Sequence, residues 1–243
     1  MTEKLEIIYK DEYIVVINKP SGLLVHKSMI DKNETRYAMK ILRNQLQKWV
    51  YPIHRLDKPT SGILIFALDS KTANLLSLEF KNHNIEKTYI AIARGYTPKE
   101  GIINHSLKEK HDKMTDKLAS KDKPPQEAIT YFKTLCNVEL PYSVGKYDTV
   151  RYSLVELKPK TGRKHQLRRH LKHISHHLLV DTKYGRGEHN KFIRKTFDIH
   201  RMMLHCYKTE LTHPYTNKKL TFKADFDENF KKIFKIFQCP TTF

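Results

Sequence analysis

His54-Arg55-Leu56-Asp57-Lys58-Pro59-Thr60-Ser61-Gly62 runs without a break into Ile63-Leu64-Ile65-Phe66-Ala67-Leu68. The first nine residues are charged and turn-forming. The next six are continuously apolar, the pattern of a strand buried on both faces, so the core of the molecule is expected to pass close to residue 60. An acid at the mouth of such a strand sits where functional carboxylates are often found, because the strand fixes position while the loop admits substrate. An Asp-x-Pro-x-x-Gly pattern is also an ordinary turn, and taken alone it supports that reading more strongly.

Working outward, Leu5 to Tyr9, Tyr13 to Asn18 and Leu23 to His26 are short β-rich runs broken by Lys10-Asp11-Glu12 and Pro20-Ser21-Gly22, which predicts a meander. Tyr37, Ile41, Leu42, Leu46 and Trp49 recur at helical spacing, predicting a helix over 34–49 opened by a capping box at Asp31 to Glu34. A second helix is expected from about Lys71 to Lys81. Further strands are expected over 87–94, 128–138, 151–158, 204–211 and 220–224, the last two joined by the turn-rich Thr212 to Lys218. Phe230, Ile233, Phe234 and Phe237 mark a C-terminal amphipathic helix. Strands outnumber helices and the helices lie at the edges, so the class is α+β, in a single domain spanning 1–243.

With 45 Lys and Arg against 26 Asp and Glu, the formal charge is +19 and the isoelectric point near 9.7. A polyanionic partner fits that field, and 13 Tyr and 11 Phe offer surfaces for stacking on bases. The charged tract between Leu107 and Glu127 reads equally as a solvated loop or an RNA-contacting arm. No apolar run is long enough for a spanning helix and no signal peptide is evident, so a cytoplasmic protein is expected. Cys136, Cys206 and Cys239 are expected to be reduced thiols.

A second cluster, Lys160-Thr-Gly-Arg-Lys-His-Gln-Leu-Arg-Arg-His-Leu171, reads as a turn opening a helix whose first residues are cationic. Its amides with Arg163, Lys164, Arg168 and Arg169 could hold a phosphate or a carboxylate, although a solvated basic face has the same composition. His165, His170, His173, His176 and His177 invite a metal reading, which the interleaved Arg168, Arg169 and Lys172 oppose by repelling a dication. Neither GxxxxGK[ST] nor GxGxxG occurs, so no nucleotide cofactor is indicated and no metal is expected.

The segment 54–62 resembles the HRLDxxTSG signature of the RluA-type pseudouridine synthases. Further resemblances follow in that family's order. They are Glu6 to His26 with its Lys19-Pro20-Ser21-Gly22 turn, Glu86-Lys-Thr-Tyr89, Thr161-Gly-Arg-Lys-His-Gln-Leu-Arg168 continuing to Asp181-x-x-Tyr-Gly185, and Arg201 to His205. The resemblance covers about 6–224. It implies a mixed, largely antiparallel sheet with peripheral helices and a central RNA-binding cleft, without the S4-type N-terminal RNA-binding domain of many relatives.

The resemblance also implies roles. Asp57 is the catalytic carboxylate, Arg168 its guanidinium partner, and Tyr89 the residue that stacks on or deprotonates the target nucleoside. Arg55 is the wedge that replaces a flipped base, and Leu204 lines the base pocket. Two longer stretches, Asp116 to Ala128 and Gly145 to Leu171, resemble a subgroup that modifies uridine 65 in the T-arm stem of tRNA, with ribosomal RNA the alternative substrate. The expected assembly is a monomer. A non-catalytic RNA-binding protein would explain the charge but not Asp57, Tyr89 and Arg168 together, and a metal-dependent RNA hydrolase would need a ligand cluster that these residues do not supply.

Overall fold

A computed structural model describes residues 3–27, 34–109 and 124–241. The chain divides into two compact units: Met1–Lys87 with Lys108–Gln126 and Cys206–Asp225, and Thr88–Leu107 with Glu127–His205 and Phe226–Phe243.

The first unit contains β1 (Glu6–Lys10), β2 (Ile14–Lys19), α1 (Ala38–Leu46), β3 (Tyr51–Pro52), β4 (Ser61–Ala67) and α2 (Ser70–Lys81). It also holds most of β9 (Leu204–Thr212) and all of β10 (Lys219–Lys223). Strands β1, β2, β4 and β9 are neighbours in that order, with β10 on β9 and β3 on β4. The β1–β2, β2–β4, β3–β4 and β9–β10 ladders are antiparallel. Ile14 to Ile17 and Ile63 to Ala67 are fully buried, which is why both read as unbroken apolar runs. Asp69 caps α2 by accepting from the Thr72 amide at 2.8 Å.

Two expectations in this unit are corrected. Leu23 to His26 forms no third strand, because the Leu24 and Val25 carbonyls accept the first amides of α1, from Ala38 and Met39 at 2.8 and 3.0 Å. The helix expected over 34–49 is shorter, and its N-cap is Tyr37 with no side-chain hydrogen bond. Glu34 accepts from the Arg36 amide, and Asp31 lies outside the described residues.

The second unit contains most of β5 (Glu86–Arg94), with β6 (Glu100–Asn104), β7 (Ile129–Leu140) and β8 (Val150–Pro159). Its helices are α3 (Gln166–His173), α4 (Gly187–Phe197) and α5 (Glu228–Phe237). Its strands run β5, β8, β7, β6, all antiparallel. The α+β class and the largely antiparallel pairing are as expected.

Helix α4 and strand β6 were not legible in the sequence. The inward face of α4 carries His189 and Asn190 beside Ile193 and Phe197, so the apolar periodicity fails although the face is buried. His189 is held by the Tyr152 hydroxyl at 3.0 Å and the Arg94 guanidinium at 2.9 Å. The thiol expectation is also corrected for two of the three cysteines. β7 and the end of α5 bring the Cα atoms of Cys136 and Cys239 within 5.9 Å, and the two form a disulfide, while Cys206 is a buried free thiol. Residues 110–123 of the charged tract lie outside the described residues.

Candidate active site

In the first unit the acid loop, 53–60, is held from several sides by backbone acceptors and buried donors. Lys19 is fully buried at the end of β2, and its ammonium donates to the carbonyls of Pro20 and Leu23 at 2.8 Å and of Lys58 at 3.3 Å. The Lys58 carbonyl also accepts the Gly22 amide at 2.8 Å, and Ser21 donates its hydroxyl to the Pro59 carbonyl at 2.7 Å. The Lys19-Pro20-Ser21-Gly22 turn is therefore a brace for the residues that follow Asp57. Gly22 takes φ of 84°, a conformation that glycine adopts without the steric cost of a side chain.

His54 fixes the other side. Its Nε2 accepts the Ile65 amide of β4 at 3.1 Å and its ring stacks on Phe80 with centroids 4.6 Å apart. Burial, reinforced by the nearby Lys87 cation, pulls its pKa down to about 3, so the imidazole is neutral and keeps Nε2 as an acceptor. Gly62, the second residue of β4, takes φ of 106°, and a Cβ there would lie 2.2 Å from the Cys206 carbonyl oxygen of β9. The Thr-Ser-Gly end of the loop is thus set by a close strand approach that no larger residue permits. Between these anchors Asp57 is half-buried and its carbonyl closes a turn with the Thr60 amide at 3.0 Å, while Arg55 is exposed.

In the second unit, Tyr89 lies on β5 opposite Leu157 of β8 and is buried. The Thr161 to Arg168 segment is latched to β7 through Gln166. Its side-chain oxygen accepts from the Thr161 hydroxyl and the Arg163 amide, and its amide nitrogen donates to the Ile129 carbonyl and the Thr130 hydroxyl, all within 2.7 to 3.0 Å. His165 enters the helix at φ of 56° and bonds the Tyr184 hydroxyl at 2.9 Å. Arg163 and Lys164 precede α3 instead of lying within it. Arg163 donates to the Glu127 carbonyl at 3.0 Å, Lys164 is exposed, and Arg169 is half-buried on the helix.

Arg168 itself is buried. Asp181 grips it bidentately, Nε to Oδ2 at 2.7 Å and Nη2 to Oδ1 at 2.8 Å. Burial would raise the Asp181 pKa, but the Arg168 hydrogen bonds and charge outweigh it, together with amides of Tyr184 and Lys183, and the net shift is downward. The preceding Val180 is held at φ of 59°, a costly conformation for a β-branched residue, by the hydrogen bond its N–H donates to Asn190 Oδ1 at 2.8 Å. Gly185 donates to the Asp181 carbonyl, where a Cβ would approach to 2.3 Å.

Leu204 opens β9 and is buried. Its carbonyl accepts from Arg201 at 2.8 Å, and the same guanidinium bonds the Met202 carbonyl and Asp227. The histidines interleaved with the cations have protein partners: His170 meets the Thr130 hydroxyl and the His105 carbonyl, and His105 stacks on His173.

Sequence reasoning attached no role to Lys19, His54, Gln166, Asp181 or Arg201. A buried lysine or arginine is indistinguishable from a surface cation in a chain this basic, and only the resemblance brought Asp181 into view. Chemically, the first unit presents a carboxylate on a rigid loop. The second presents a phenol, a fixed guanidinium, an apolar side chain and surface cations.

A family model described as RNA pseudouridylate synthase matches residues 13–173. The chain is 50% identical over 235 residues to tRNA pseudouridine synthase C of Vibrio parahaemolyticus, covering 97% of this chain and 96% of that one. It is likewise 50% identical to tRNA pseudouridine synthase C of Pasteurella multocida, covering 96% of each. Among solved structures, human RNA pseudouridylate synthase domain containing 1 superposes with a TM-score of 0.69 at 26% identity, covering 93% of this chain and 85% of that one. Human RNA pseudouridylate synthase domain containing 4 shares the fold at a TM-score of 0.72 and 24% identity, covering 97% and 94%.

Proposed function

The chain belongs to the RNA pseudouridylate synthase family, and from that membership we propose that it converts a uridine of tRNA, uridine 65 in the T-arm stem, to pseudouridine. The reaction breaks N1–C1′, turns the base and forms C5–C1′. It is a redox-neutral isomerisation that consumes no cosubstrate, so the chemical demand falls on side chains alone. Asp57 is the carboxylate that acts at C1′, adds to C6 of the ring, or assists a glycal route. Tyr89 stacks on the flipped uracil or takes the proton lost from C5 or C2′, and Leu204 packs against the ring. Arg168, oriented by Asp181, supplies positive charge for the anionic chemistry. Arg55, exposed beside Asp57, braces the gap left by the base, and Arg163, Lys164 and Arg169 serve the phosphates.

The observation that carries this reading is the bracing of the Asp57 loop by Lys19, Ser21, Gly22 and His54. A turn with no task other than reversing the chain has no need of a buried ammonium on its backbone and a neutral imidazole that ties it to β4. Identity near one half over nearly the whole chain supports tRNA as the substrate class. Among the described residues no helix is long and apolar enough to cross a membrane, and the proposed compartment is the cytoplasm, where tRNA is found.

The test is carbodiimide labelling with reverse-transcription mapping of total RNA from cells with and without the gene, complemented by wild type or Asp57→Asn. The expected result is loss of one tRNA pseudouridine, restored by wild type and not by the variant, which still binds tRNA. Restoration by Asp57→Asn would remove Asp57 from the chemistry. A pseudouridine lost only from ribosomal RNA would overturn the tRNA assignment.

A further inference from the structure

Trp49 is the only tryptophan in the chain and is 67% exposed, the most exposed large hydrophobic side chain among the described residues. An indole left in water forgoes the burial that its area would otherwise stabilise. The local structure presents it outward. Helix α1 ends at Leu46 and is capped by Gln47, whose φ of 52° turns the chain sharply and whose side chain ties back to the Asn44 carbonyl at 2.7 Å. Val50 is then fully buried and Tyr51 joins β4, so the indole stands between two anchored points. The Arg43 guanidinium lies 3.9 Å from the indole centroid, covering one ring face, and its Nε is buried without a hydrogen-bond partner. A planar cation stacked on one face orients the indole and leaves the other face for a second planar group.

The electrostatics point to the nature of that group. Between Glu34 and Asp57 the sequence has no carboxylate, and Lys40, Arg43 and Lys48 are the cations that most closely precede Trp49 in the chain, Arg36 being paired with Glu3. Lys40 and Lys48, close to Arg43 and Trp49 in the chain, are both exposed. A flat ring open to solvent and flanked by positive charge suits an unpaired nucleobase with its phosphates, whereas an apolar protein surface would gain little from the cations. The platform is also removed from Asp57. Tyr51 pairs with Ala67 at the far end of β4, whereas Asp57 precedes the near end at Ser61, and the length of β4 between them is about 20 Å.

We propose that Trp49 and Arg43 form a stacking platform for an unpaired base of the RNA substrate, at a nucleotide distant from the uridine at Asp57. This rests on the reading of the chain as an RNA-modifying enzyme. The platform measures the substrate: an RNA that presents a target stem but no unpaired base one β4 length away loses this contact. It contributes affinity and takes no part in the chemistry.

A sole tryptophan allows a direct test, because all indole emission reports on this site. The full chain is titrated with unfractionated tRNA while indole emission and its accessibility to acrylamide are followed, and binding is measured separately by anisotropy of labelled tRNA. The expected result is strong quenching and acrylamide protection at saturation. Trp49→Ala is expected to weaken tRNA binding about ten-fold, the size of one base–aromatic stack, and Trp49→Phe by less. The exposure of Trp49 makes both variants benign for folding. Unchanged emission and accessibility at saturating tRNA, or wild-type affinity in Trp49→Ala, overturns the proposal. Pseudouridine formation is assayed in parallel. Product without quenching removes the platform alone, and quenching without product removes the enzymatic reading alone.

Discussion

Replacing Asp181 by Asn tests whether the guanidinium of Arg168 is held as the structure describes. The carboxylate and guanidinium are both buried, with side-chain exposures of 0% and 6%, and they share two hydrogen bonds of 2.7 and 2.8 Å. An amide is nearly isosteric, but it cannot neutralise the cation, and its nitrogen would face a donor. Breaking one partner of a buried pair leaves an uncompensated charge and costs about 3–5 kcal/mol. In a domain of this size, each kcal/mol lowers Tm by about 2–4 °C, so a fall of roughly 6–20 °C is expected by circular dichroism. Adding Arg168→Met to Asp181→Asn should recover part of that loss, because no buried charge remains and the Asn oxygen still accepts the Lys183 and Tyr184 amides. The double variant should nevertheless stay inactive in the pseudouridine assay. A pH series adds an independent check. The Asp181 pKa is lowered in the fold, so its contribution is fully present above the unfolded value near 4 and is lost as pH falls through the folded value. Asp181→Asn should therefore flatten the acid limb of the stability profile. A Tm within about 2 °C of wild type, or a double variant less stable than the single, would refute the reasoning.

His54, His170 and His189 have pKa values pulled down by burial to about 3, 4 and 4, so unfolding lets them take up protons below pH 6.5. Urea midpoints should be level above about pH 7 and fall as pH drops from 6.5 towards 4, and a level profile through that window would contradict their burial as neutral rings. Gly62→Ala should cost at least about 3 kcal/mol, or prevent soluble expression, because the new Cβ meets the Cys206 carbonyl at 2.2 Å and the backbone holds a positive φ. A soluble variant with an unchanged urea midpoint would remove that constraint. Reduction of the Cys136–Cys239 disulfide should lower stability by about 2–4 kcal/mol, since it closes a sequence separation of 103 residues. Three reactive thiols in the denatured, unreduced protein would show that the bond is not made.

The residues near 60 were legible as a core strand with an acid at its mouth because a strand buried on both faces needs an unbroken apolar run, and Ile63 to Ala67 is one. The C-terminal helix was legible for the related reason that its buried side, Phe230, Ile233, Phe234 and Phe237, is wholly apolar. Asp57, Tyr89 and Arg168 became candidate residues through linear patterns that resemble a family, since spacing along the chain shows which residues occur but not what holds them. Tertiary structure decided the rest. It made Leu24 and Val25 a cap for α1, because free helix amides there needed acceptors. It buried His189 and Asn190 on the inner side of α4, where hydrogen bonds to Tyr152, Arg94, Val180 and Asp181 satisfy groups that read as polar surface. It also separated Lys19, Arg168 and Arg201 from the many solvent-facing cations. One-dimensional composition records charge, whereas the partners that make a buried charge tolerable are brought together only by the fold.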